Sequence, residues 1–114
     1  MNLLVFLKDL GIPFLGFILF FVFQSMGFMK EKVLTLFIIL VTVGIFLLAY
    51  HKNEWALFLV GILFGIIIEI GLRYFGYQQV WKDASFFGVP YWLPLVWGVG
   101  FVIITRLGMF TRSF

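Results

Sequence analysis

Hydrophobic residues fill this chain in four long runs, and polar residues are confined to the intervals between them. The runs cover about residues 10–29, 33–50, 55–74 and 90–109. None alternates as a half-buried strand does, and each is close to the roughly twenty residues that a helix needs to cross a bilayer core. Lys30–Lys32 and His51–Glu54 leave room only for turns between the first three runs. The pattern predicts an all-α integral membrane protein. Four transmembrane helices form an up-down antiparallel bundle, with residues 1–114 a single transmembrane domain. Helices suit that environment because their backbone groups are satisfied within the segment. A barrel would need alternating polar positions and frequent turn signals, and neither is found.

The first run has a broken start. Met1–Phe14 carries Lys8, Asp9, Gly11 and Pro13, so it reads as an interfacial lead-in or as the ragged beginning of the first span. Pro13 then falls in the first turns of that span, where a missing N–H matters least. No basic stretch precedes the apolar residues and no small-residue cleavage site follows them, which argues against a cleavable signal. In the second run, Thr35 and Thr42 are expected to return their hydroxyls to carbonyls one turn back. Trp55 stands where an interfacial anchor belongs.

Composition sharpens this picture. The chain is 64% hydrophobic and 11% charged, against about a quarter charged in a soluble domain, and its 17 Phe and 4 Trp exceed what a small aqueous core could hide. The net charge of +3 comes from Lys and Arg scattered singly between apolar runs, which excludes a nucleic-acid surface. One His and no Cys leave no zinc or haem ligand set and no thiolate chemistry, so neither a metal nor a cofactor is expected. Phosphate loops, nucleophile elbows and paired-His zinc motifs are missing as well. If the amino end lies on side A, that side receives Lys8, Lys52, Arg106 and Arg112, and side B receives Lys30, Lys32, Arg73 and Lys82. The tie leaves membrane orientation undecided.

Candidate chemistry gathers in the third run and after it. Gly61, Gly65, Glu69 and Arg73 recur every four residues, so they share one stripe of a helix. Small residues at that spacing admit a second helix, which puts Glu69 on a packed side. An acid inside a span is a functional candidate by default. The competing structural reading is an ion pair with Arg73, about 6 Å further along the helix. Side B also receives Gln24, the connector with Tyr77, Trp81 and Asp83, and the approach to the last helix with Trp92 and Trp97. Glu69, Tyr77 and Asp83 are therefore the candidate catalytic groups. Gln24, Arg73, Trp81, Trp92 and Trp97 are the candidate ligand-binding residues. His51, at the opposite side, reads as a solvated loop residue, and Trp97 on its own is explained by core packing.

The residues Glu69-Ile70-Gly71, Phe75-Gly76-Tyr77, Gly88-Val89-Pro90 and Leu93-Pro94 with Trp97 resemble the membrane carotenoid-biosynthesis protein family, which includes the bacterioruberin-type hydratases. The resemblance spans about residues 69–97. It implies a fold unit that handles a polyene, isoprenoid or other lipid, with Glu69 as the acid/base group, Tyr77 as a polar partner and Trp97 lining the pocket. The first expectation is thus a multi-pass protein that binds a lipid or isoprenoid-like ligand at one membrane face, with catalysis left open. Two alternatives stand beside it. One is a non-catalytic small subunit of a larger membrane complex. The other is a proton-coupled transporter working as a homo-oligomer, since length and span number are similar to those of the small multidrug-resistance transporters.

Overall fold

The computed structural model describes residues 3–27, 29–75 and 90–112. Four helices make up nearly all of them: α1 (Leu3–Met26), α2 (Glu31–Leu48), α3 (Glu54–Tyr74) and α4 (Trp92–Arg112). No strand occurs among the described residues. All four helices are long and apolar enough to cross a membrane.

The first helix starts at Leu3, a full two turns before the expected Leu10, and Pro13 consequently falls in its interior. An interior proline lacks the N–H that residue i−4 would receive, and its ring crowds that same carbonyl. Here the carbonyl belongs to Asp9. The helix accommodates the clash by widening to a π turn over Leu7–Gly11, where the N–H of Ile12 reaches back to the carbonyl of Leu7. The widened turn sits directly before the proline and leaves Asp9 O open to a partner from elsewhere. Gly27, at φ 77°, ends the helix in the left-handed conformation and donates its N–H to the Gln24 carbonyl at 3.2 Å.

In α2 both threonines return to the preceding turn, Thr35 to the Glu31 carbonyl at 2.8 Å and Thr42 to the Ile38 carbonyl at 2.7 Å. Neither therefore needs a partner on another helix.

The last helix is the hub. About 44% of its apolar window is buried, against 17–22% for the other three, so the other helices pack around it. It approaches α1, α2 and α3, most extensively α3. Among the described residues, α3 comes close to α4 alone at the backbone level, with the Phe46 and Phe58 rings 6.1 Å apart as a side-chain link to α2. Phe20 of α1 and Ile38 of α2 are fully buried with Val99 and Val102 of α4. Phe20 also meets the Trp92 ring edge-on at 5.4 Å and the Phe37 ring at 5.8 Å, the tilted geometry that aromatic pairs prefer.

The α3–α4 seam depends on missing side chains. A Cβ on Gly61 would come within 2.8 Å of the Gly98 Cα, and one on Gly65 would overlap the Trp97 ring. Close backbone approach through small residues is how helices gain packing contacts when lipid removes the hydrophobic drive. The outer faces remain apolar, with Leu40, Leu47, Leu63, Ile67 and Ile104 all exposed.

Candidate functional site

Four charged side chains are buried among the described residues: Glu31, Glu54, Glu69 and Arg106. A buried charge is costly unless it is paired or hydrogen-bonded, so each position needs its partners accounted for.

Glu69 is fixed by the glycine stripe. Gly61 and Gly65 press α3 against α4, and Glu69, one turn further on, is carried to the same packed face beside Trp97. The indole N–H of Trp97 donates to Glu69 Oε1 at a long 3.4 Å. The Trp97 ring is half-buried and stands nearly perpendicular to Phe64, with centroids 6.3 Å apart. A neutral donor at that distance is a weak partner for a carboxylate.

The other predicted residues are distributed differently. Trp92 is buried in the core against Phe20. Gln24 is half-buried in the last turn of α1. Tyr77, Trp81 and Asp83 lie outside the described residues, as does the side chain of Arg73. The structure therefore joins Glu69 to Trp97 and places Trp92 with the α1 aromatics. Glu31, which the sequence reading passed over, accepts the backbone N–H of Tyr91 at 3.0 Å, just ahead of α4. Carboxylates are favoured at such helix starts.

The densest polar network is at side A, where no binding residue was expected. Arg106 of α4 grips Glu54 of α3 in a fork, Nε donating to Oε2 at 2.7 Å and Nη2 to Oε1 at 2.6 Å. Its Nη2 also donates to the Ala49 carbonyl at 2.7 Å, and Nη1 donates to the Asp9 carbonyl at 2.9 Å. The second of these fills the acceptor that Pro13 leaves open. Glu54 Oε1 additionally receives the backbone N–H of His51 at 3.0 Å. Planar, bidentate donation is what makes Arg the residue for a buried carboxylate.

His51 is thus not a simple solvated residue. Its Nε2 stands 3.1 Å from Asp9 Oδ2, which ties the α2–α3 connector to the π turn of α1. A cavity of about 220 Å³ opens beside the pair, lined by Asp9, Leu10, His51, Arg106, Met109 and Phe110. The sequence did hold one sign of this network: Arg106 lies six residues inside the end of the last helix, too deep for a flanking charge. A second, wider groove of about 400 Å³ runs along α2 and is lined only by Val33, Leu36, Phe37, Leu40 and Val41.

Among the described residues no group of three or more His, Cys, Asp or Glu is arranged to hold a metal ion. No family model, curated protein or solved structure matches this chain.

Proposed function

We propose that the chain is a multi-pass membrane protein, an up-down antiparallel four-helix bundle, that binds a lipid or isoprenoid-like ligand through Glu69. The observation that carries the reading is the contrast between two buried carboxylates on the same helix. Glu54 receives three donors, two of them from a guanidinium. Among the described residues, which do not include the Arg73 side chain, Glu69 receives one long bond from a neutral indole. An acid kept inside a span with so little compensation among the described residues is a candidate for ligand contact. It can accept a hydrogen bond from a ligand hydroxyl. The resemblance of residues 69–97 to carotenoid-biosynthesis proteins points toward the same ligand class.

The test is purification in mild detergent followed by mass spectrometry of the co-purifying lipids. A specific isoprenoid or lipid is expected with the wild-type protein and reduced about tenfold in Glu69→Gln, the worth of about 1.4 kcal/mol. Equal retention by both proteins would overturn the reading. A subunit role is the second reading, favoured by the apolar outer face of α3, where Leu59, Leu63, Ile67 and Ile70 are exposed. A protein that purifies alone and monodisperse would count against it.

A further inference from the structure

Three successive turns of α3 hold three successive parts of Trp97. Gly61, Gly65 and Glu69 are spaced by four, so each stands about 6 Å beyond the last along one side of the helix. At Gly61 an added Cβ would come within 2.9 Å of the Trp97 carbonyl oxygen. At Gly65 it would overlap Cβ, Cγ and Cδ1 of the Trp97 side chain, the edge of the ring that leads to the indole nitrogen. At Glu69, Oε1 accepts the hydrogen bond of that nitrogen at 3.4 Å. Phe64 meets the same ring at an interplanar angle of 70°, and so helps to limit its rotation.

We propose that Gly65 and Trp97 are positioning residues of the Glu69 site, Gly65 by seating the indole and Trp97 by fixing the carboxylate that a ligand meets. The ligand half of the proposal rests on Glu69 being the ligand contact. A glutamate side chain loses rotamer freedom when it is held still, and a ligand that must impose that order itself binds less tightly. The seated indole holds Oε1 beforehand, so a ligand hydroxyl meets an acceptor that is already oriented. A side chain at position 65 would displace the part of the ring that carries Nε1, so the same contact that brings α3 against α4 also aims the hydrogen bond. A seam that only packs needs small residues at 61 and 65. It does not need an N–H on the ring that they seat, directed at an acid one turn further on.

The experiment is NMR of the full-length protein in detergent with isotope-labelled tryptophan, in which each of the four Trp indoles gives one N–H resonance. Trp97→Phe assigns the Trp97 signal by its loss. Glu69→Gln is expected to shift that signal and leave the others in place, because only Trp97 changes its acceptor. A Trp97 signal that does not move would overturn the proposal. In Gly65→Ala the signal is expected to be displaced and to respond no longer to Glu69→Gln. A response that persists would overturn the role of Gly65. A second readout stands even if Gly65→Ala fails to fold. Trp97→Phe keeps an aromatic ring on the seam but removes the N–H, and it is expected to lower the co-purifying lipid about threefold, the low end for one hydrogen bond. Undiminished retention in Trp97→Phe would overturn Trp97 as a positioning residue. Equal retention in Glu69→Gln would instead overturn the ligand reading, and the resonances would still decide whether Gly65 and Trp97 hold the carboxylate.

Discussion

Replacing Arg106 would strip a carboxylate and two backbone carbonyls of their donors in one step. Glu54, Ala49 and Asp9 all depend on that guanidinium. Removing one member of a buried pair costs about 3–5 kcal/mol because the other charge is left uncompensated. Arg106→Met should therefore lower the melting midpoint in detergent steeply. Arg106→Lys should fall in between, since an ammonium cannot form the fork. The double variant Glu54→Met/Arg106→Met should recover part of the loss, leaving the two carbonyls and the His51 N–H without their partners. A single Arg106→Met variant that melts with the wild type would show that the fork contributes nothing. Sequence reasoning missed this centre because it treated Arg106 as one charge in an orientation count. The partners that make it a centre are 52 and 57 residues away in the chain, and for the Asp9 carbonyl 97 away. Glu69 was easier to find, because its glycine stripe lies within one helix and shows in the spacing alone.

At the scale of helices, the α3–α4 seam and the π turn of α1 follow from small local features. A methyl group on Gly65 would overlap the Trp97 ring, whereas one on Gly44 of α2 would meet nothing within 4 Å. Gly65→Ala should thus destabilise the protein by about 1–3 kcal/mol, the usual cost of overpacking. Gly44→Ala should be neutral or slightly stabilising, through helix propensity alone. Matched thermal melts of the two variants check this, and equal behaviour would mean that the seam yields freely. The hydrophobic runs made the four helices legible, because span length follows from bilayer thickness. The start of α1 was not legible. The residues place Pro13 in the first turns of the span, whereas the π turn and the donor from Arg106 accompany a helix that begins at Leu3 and runs through it. That outcome depends on α4 and could not be read from residues 1–14.

Across the whole molecule, each of the three carboxylates buried among the described residues receives a donor from the same part of the chain. Glu31 on α2 receives the Tyr91 N–H, Glu54 on α3 receives Arg106, and Glu69 on α3 receives Trp97. All three donors come from α4 or the residue just ahead of it, the same helix that supplies most of the apolar core. Until α4 is in place, the first three helices carry these acids without the donors that α4 brings, Glu69 inside a span and Glu31 and Glu54 at the starts of theirs, and a buried carboxylate without donors is costly. A fragment of residues 1–89 should consequently fail to accumulate in membranes when expressed alone. Co-expression of residues 90–114 as a separate chain should restore it, because packing and hydrogen bonding between spans do not require a covalent link. The same α4 fragment carrying Arg106→Met should rescue much less well, since it fills the core but leaves Glu54 uncompensated. Immunoblotting of the membrane fraction distinguishes these outcomes. Full accumulation of 1–89 without α4 would show that the acids are tolerated without the donors of α4, and α4 would then be a packing partner and nothing more.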